Sequence, residues 1–168
     1  ILSSLKNDIL NHRIKVNLIA GTRPNISQKF IDEITKLGLK KEIDNYINIL
    51  CNIDRNIYFE SFNKILRTTD ILWTKPSELS FFTGLGIPII IAPPIGYHEI
   101  INEKWLVTMG SGIKQENPKY INEWLFDWVN KGILAQAAWE GYIEAPKNGT
   151  YNIEKVVLEG KEEKDLKF

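Results

Sequence analysis

The chain has 168 residues, 43% of them hydrophobic and 25% charged, with 21 basic residues balancing 21 acidic ones. This length suits one well-cored domain and the composition is that of a globular protein. Zero net charge argues against broad nucleic-acid binding, which leaves a basic excess, and a single cysteine, Cys51, excludes an internal disulfide framework or a multi-thiolate metal site.

No stretch approaches the ~18 apolar residues of a membrane span, and no charged-then-apolar leader opens the chain. The low cysteine count suits a reducing compartment, so a cytoplasmic location is expected. Because the chain begins at Ile1, it is expected to be a piece of a longer protein. Cys51 sits in an apolar run, YINILC, and reads as a small buried hydrophobe.

The pattern then alternates. Residues 12–21, HRIKVNLIAG, read as a strand ended by Gly21. In the next loop, Asn25 and Gln28 have capping-box spacing. Ile26, Phe30, Ile34 and Leu37 then share one helix face that ends near Gly38. Residues 46–51 read as a second strand, and Ser61 as the cap of a short helix. DILWT (70–74) is a third strand, followed by a short helix stopped by Gly84 and Gly86. IPIIIA (87–92) is a fourth strand, with a helix over 98–109. Consecutively apolar strands alternating with helices predict a parallel sheet covered on both faces.

After Gly112 only helices are predicted. Asn117 caps one with Pro118 at its first position, and Gly132 ends it. A second stops before Pro146, a third runs through NIEKVVLEG, and KEEKDLKF reads as a frayed tail. Trp124, Trp128 and Trp139 fall at helical spacing and read as core more readily than as a stacking stripe. The expected organisation is therefore an α/β, Rossmann-like core over 1–113, with C-terminal helices over 114–168 on the same single domain.

In an open parallel sheet, ligands sit beyond the carboxyl ends of the strands. Three loops are expected there: GTRPN (21–25), TKPSELS (74–80) and PPIGYHE (93–99). Each precedes a helix start, whose free N–H groups and positive dipole end suit a phosphate. Arg23 and Lys75 add cations, and Ser77 and Ser80 add hydroxyls, so the set suits a diphosphate. Solvated loop cations and a helix cap at Ser77 account equally for these residues, and Gly96 for loop shape alone. His98 reads as an exposed loop residue or as a candidate catalytic group. Glu99 and Asn102, three apart, share one helix face and either address one polar partner or face solvent.

The order of strand, KPSE, helix ending GLGIP, aliphatic strand, PPIGYHE, then asparagine two residues on resembles the nucleotide-sugar-binding half of GT-B glycosyltransferases. It is most similar to the group containing the lipid-linked sugar enzyme of peptidoglycan synthesis and the galactolipid synthases. The resemblance covers about residues 13–113, with TTD before ILWTK and GTRPN as the first phosphate-side loop. It implies a GT-B half that binds a UDP-sugar or related donor, with the diphosphate on Gly21, Thr22, Arg23 and Ser77. Glu99 and Asn102 would hold the sugar. Lys75, Glu78, Ser80, Gly96 and His98 are the further candidates on the donor and phosphate side, Glu78 as a substitute for the family's ribose-holding residue. No metal and no further cofactor is implied. The catalytic base and the acceptor site are expected on an absent N-terminal half, which is also the expected route to any peripheral membrane association.

The departures are specific. The family's glycine-glycine turn is Ser77-Glu78 here, and its ribose-holding helix glutamate is Phe81. Two alternatives therefore stand beside the donor-binding reading. One is a nucleotide-sugar epimerase or hydrolase on the same loops. The other is a non-catalytic interaction domain whose ligand site has decayed.

Overall fold

The computed structural model describes residues 1–77 and 79–159. In chain order the elements are α1 (Lys6–Leu10), β1 (Val16–Gly21), α2 (Pro24–Lys36), β2 (Ile47–Cys51) and α3 (Arg55–Leu66). Then come β3 (Leu72–Thr74), α4 (Ser80–Gly84), β4 (Ile89–Ile91), α5 (Tyr97–Thr108) and β5 (Gly112–Lys114). Helices α6 (Ile121–Asn130), α7 (Ile133–Glu144) and α8 (Gly149–Glu159) follow. The fold is thus mixed α/β, compatible with a Rossmann-like arrangement. Among the described residues the strands form two small sheets, β1-β2 and β3-β4-β5, where one sheet was expected.

The chain divides into two compact units. The first holds Ile1–Leu72 and Lys114–Leu134, the second Trp73–Ile113 and Ala135–Phe168. The helices after residue 113 are shared out between them.

In the first unit β1 and β2 pair in parallel, from Val16 opposite Ile47 to Gly21 opposite Cys51, with an irregularity between Ile19 and Gly21. Helix α2 buries Ile34 and ends in a Schellman turn: Gly38 N–H bonds Thr35 O, and Leu39 N–H bonds Ile34 O, both at 3.0 Å. Gly38 takes φ +72°, which only glycine adopts freely. The same turn ends α1, but with His12 in the left-handed position at φ 57°. His12 N–H bonds Ile9 O, and Arg13 N–H bonds Asp8 O. Residues 12–15 are therefore a helix exit, and β1 begins at Val16. The Arg13 guanidinium pairs with the buried Asp8 at 2.8 Å and lies 4.2 Å from the Phe126 ring centroid, tying α1 to α6.

In the second unit β4 is the central strand, and Ile89, Ile90 and Ile91 are all buried. A consecutive apolar run is what a strand covered on both faces requires. Helix α7 crosses this unit at Gly141, where an added Cβ would stand 2.9 Å from Ser111 Cβ and 3.1 Å from Thr83 O. Strand β5 corrects the expectation of helices alone after Gly112. Trp124 and Trp128 are buried with ring centroids 4.6 Å apart, whereas Trp139 is exposed, so the core reading holds for two of the three.

The caps also differ from expectation. Helix α2 starts at Pro24 with Arg23 as N-cap, and the Gln28 amide donates to Asp32 rather than closing a box with Asn25. Ser61 lies inside α3, whose cap is Asp54: its carboxylate accepts from Asn56 N–H at 2.8 Å and Ile57 N–H at 3.2 Å. A carboxylate at the dipole's positive end outcompetes a mid-helix serine. Among the described residues Ser77 caps no helix: α4 begins at Ser80, and Ser77 N–H bonds Lys75 O at 2.8 Å. The expected tail, 161–168, lies outside the described residues.

Candidate functional site

A parallel strand pair exposes its carboxyl-end loops to a ligand. At that end of β1 and β2 the first unit has an open cleft of about 510 Å³, lined by Pro24, Ser27, Gln28, Cys51, Asn52 and Ile53. Three local features build it. Gly21 turns the chain out of β1 at φ +65°, and nothing lies within 4 Å of the Cβ it lacks. Asn52 N–H bonds Gly21 O at 3.1 Å and ties the two strand ends together. Helix α2 then starts at the cleft wall.

That helix start carries no side-chain cap among the described residues, and Pro24 at its first position has no N–H to donate. In contrast to α3, which has Asp54, the start of α2 has only Arg23 O as a local acceptor among the described residues, for Ile26 N–H at 3.0 Å and Ser27 N–H at 3.3 Å. Thr22 and Arg23 are exposed beside it.

The second unit holds the other expected loops. Lys75 is half-buried, and Ser77 and Ser80 are exposed. Pro76, fully buried between Lys75 and Ser77, accepts a bond of 3.0 Å from Asn102 Nδ2. Glu99 Oε2 accepts from Ile95 N–H at 2.6 Å, closing the PPIG turn ahead of α5. That bond, the Lys75 charge and the Gly96 N–H hold the Glu99 carboxyl below its ordinary value of 4.5, against a smaller opposing effect of desolvation. His98 is exposed, with its ring against Gly96: an added Cβ there would stand 2.9 Å from His98 Cε1. Glu78 lies outside the described residues.

The structure thus gathers Lys75, Gly96, His98, Glu99 and Asn102 around the start of α5, and Gly21, Thr22 and Arg23 at the end of β1. Glu99 and Asn102 address different partners, both of them backbone. The sequence reading missed Gln28, Cys51, Asn52 and Ile53 as cleft residues. The signal for the last three was position alone, since Cys51 ends the strand predicted over 46–51 and Asn52 and Ile53 immediately follow it. Among the described residues no three His, Cys, Asp or Glu side chains gather as metal ligands, and no helix is long and apolar enough to cross a membrane.

The fold and cleft together define an α/β protein with small sheets flanked by helices and an open cleft at the ends of a parallel strand pair. Over residues 2–159 the chain matches a family described as a domain of unknown function, DUF6938, and it belongs to that family. No curated protein and no solved structure matches it.

Proposed function

We propose that this chain binds a nucleotide-sugar, of the UDP-sugar class, as the donor-binding part of a GT-B-like glycosyltransferase. The observation that carries the reading is the open cleft at the carboxyl ends of β1 and β2, fronted by the uncapped start of α2. A diphosphate there meets the helix dipole and the Arg23 side chain, while the Ile26 and Ser27 N–H groups bond Arg23 O. Such groups stabilise a leaving diphosphate by fixed dipoles and a cation, which suits metal-independent transfer. The resemblance supplies the sugar. Acceptor and catalytic base belong to a partner half in this reading, cytoplasmic like the donor.

An interaction domain is the second reading, and one observation favours it. The loop and first turns of α5 expose Ile95 (81%), Tyr97 (78%), Ile100 and Ile101, while Glu99 and Asn102 are engaged with backbone.

Calorimetric titration with UDP, GDP and UDP-sugars separates the two. The donor-binding reading expects one nucleotide to bind at micromolar to sub-millimolar concentration. Arg23→Ala should weaken it by about 1–3 kcal/mol, the range of a charge-assisted bond. Absence of nucleotide binding, or affinity unchanged in Arg23→Ala, removes the anion site.

A further inference from the structure

We infer that the β1–β2 cleft takes a vicinal diol, held between Asn52 as donor and Gln28 as acceptor. The inference deepens the nucleotide-sugar reading and rests on it for the identity of the ligand. Its own ground is the hydrogen-bonding state of the lining. Pro24, Ser27, Gln28, Cys51, Asn52 and Ile53 include no carboxylate, ammonium, guanidinium or imidazole.

Both amides are half committed. Asn52 Oδ1 accepts from Asp54 N–H at 2.9 Å, so its Nδ2 is left as a donor. Gln28 Nε2 donates to Asp32 Oδ1 at 2.9 Å, so its Oε1 is left as an acceptor. Ser27 adds a hydroxyl that does either. One fixed donor, one fixed acceptor and one group of both kinds match a pair of adjacent hydroxyls, each of which donates and accepts. Pro24 and the 74% exposed Ile53 offer apolar surface to the C–H face of a ring.

The same lining discriminates against the other parts of a nucleotide-sugar. A phosphate needs donors alone, and Gln28 Oε1 would face it with a lone pair. A nucleobase gains most by stacking on an aromatic face, and among the described residues no aromatic ring lines the cleft. The phosphate therefore belongs at the start of α2, with the diol in the cleft beside it.

A ribose and a hexose both supply such a diol, and the experiment separates them. The side-chain amide signals of Asn52 and Gln28 are followed by NMR while UDP, 2′,3′-dideoxy-UDP, UDP-glucose, ribose and methyl glucoside are titrated into the whole chain. Movement with UDP but not with the dideoxy compound assigns the ribose. Movement with UDP-glucose beyond that with UDP assigns the hexose. If no nucleotide binds but ribose or methyl glucoside at tens of millimolar moves both amides, the nucleotide reading falls and the diol site stands. If no compound moves the two amides, or the dideoxy compound moves them as far as UDP and UDP-glucose do, the diol inference is overturned. Asn52→Asp keeps the oxygen that accepts from Asp54 N–H and replaces the donor. It and Gln28→Ala should each weaken the diol-bearing ligand tenfold or more while leaving the dideoxy compound unchanged. Equal weakening of both ligands would assign these residues a purely structural role.

Discussion

Gly112→Ala tests the packing that holds α5, and with it Glu99 and Asn102, in place. Gly112 is buried, and its φ lies outside the left-handed region, so alanine meets no backbone penalty. Its Cβ would stand 2.8 Å from Ile91 Cδ1, 3.3 Å from Ile91 Cγ1 and 2.9 Å from Leu106 Cβ. Ile91 Cδ1 is a side-chain tip and retreats by a rotamer change. Leu106 Cβ is fixed to the α5 backbone and retreats only if the helix moves. Both residues are buried, at 2% and 0% exposure, so neither has open space to enter. Overpacking of this kind costs about 1–3 kcal/mol. The alanine also restricts the unfolded chain, which returns about 0.4–1 kcal/mol. The expected net loss is about 1–2 kcal/mol, a factor of roughly 5–30 in the folded-to-unfolded ratio. Hydrogen exchange read by mass spectrometry should show that acceleration in peptides from β4, α5 and β5. Gly84→Ala is the control. It ends α4 with nothing within 4 Å of the new Cβ, so it should gain about 0.5–1 kcal/mol. Equal stability of the two variants would refute the close approach of β5 to Ile91 and Leu106.

Asp54→Ala removes the acceptor of two α3 N–H groups and should cost about 1 kcal/mol, seen as a lower urea midpoint with unchanged slope; an unchanged midpoint counts against the cap. Thr83 is fully buried, and its hydroxyl has no partner among the described residues. Thr83→Val should therefore raise stability by about 1 kcal/mol, or about 2–4 °C in Tm for a chain of this size, and a fall in Tm would mean the hydroxyl is bonded. The Glu99 carboxyl titrates below 4.5, so the unfolded chain binds its proton first as pH falls. Its contribution is complete above pH 4.5 and is lost as pH drops through the lower folded-state value. The Ile95 amide shift should follow that titration with an inflection below 4.5 and lose it in Glu99→Gln. An inflection at or above 4.5 would refute the bond.

What the sequence revealed depended on how local the determining physics was. The periodicity of α2, the run at Ile89–Ile91 and the glycine stops at Gly38 and Gly132 are local, and each element stands close to where its residues predicted it. Helix α1 escaped because its left-handed exit is His12, where glycine or asparagine is the usual signal. Asp54 was passed over for Ser61 because Arg55–Glu60 lacks a clear apolar stripe. The division into two sheets is a matter of long-range pairing. The three residues of β5 carry too little pattern to announce a second partner for β4.

The candidate site was legible as loops but not as contacts. Placing Lys75, Glu99 and Asn102 at strand and helix ends follows from the alternation of elements. That Asn102 bonds Pro76 O and Glu99 bonds Ile95 N–H depends on side-chain directions that no spacing specifies. These bonds change how the two residues are to be understood. Each fixes a proline-containing turn from the first turns of α5, so each organises a loop before it meets any ligand. A residue with both duties loses more on truncation than a contact, because the loop's backbone group is left unpaired as well. Substitution at Glu99 should therefore be compared with Glu99→Gln, which keeps an acceptor for Ile95 N–H and removes only the charge. A sugar role requires the charge-removing change to weaken sugar binding, whereas a loop role requires only the truncation to do so.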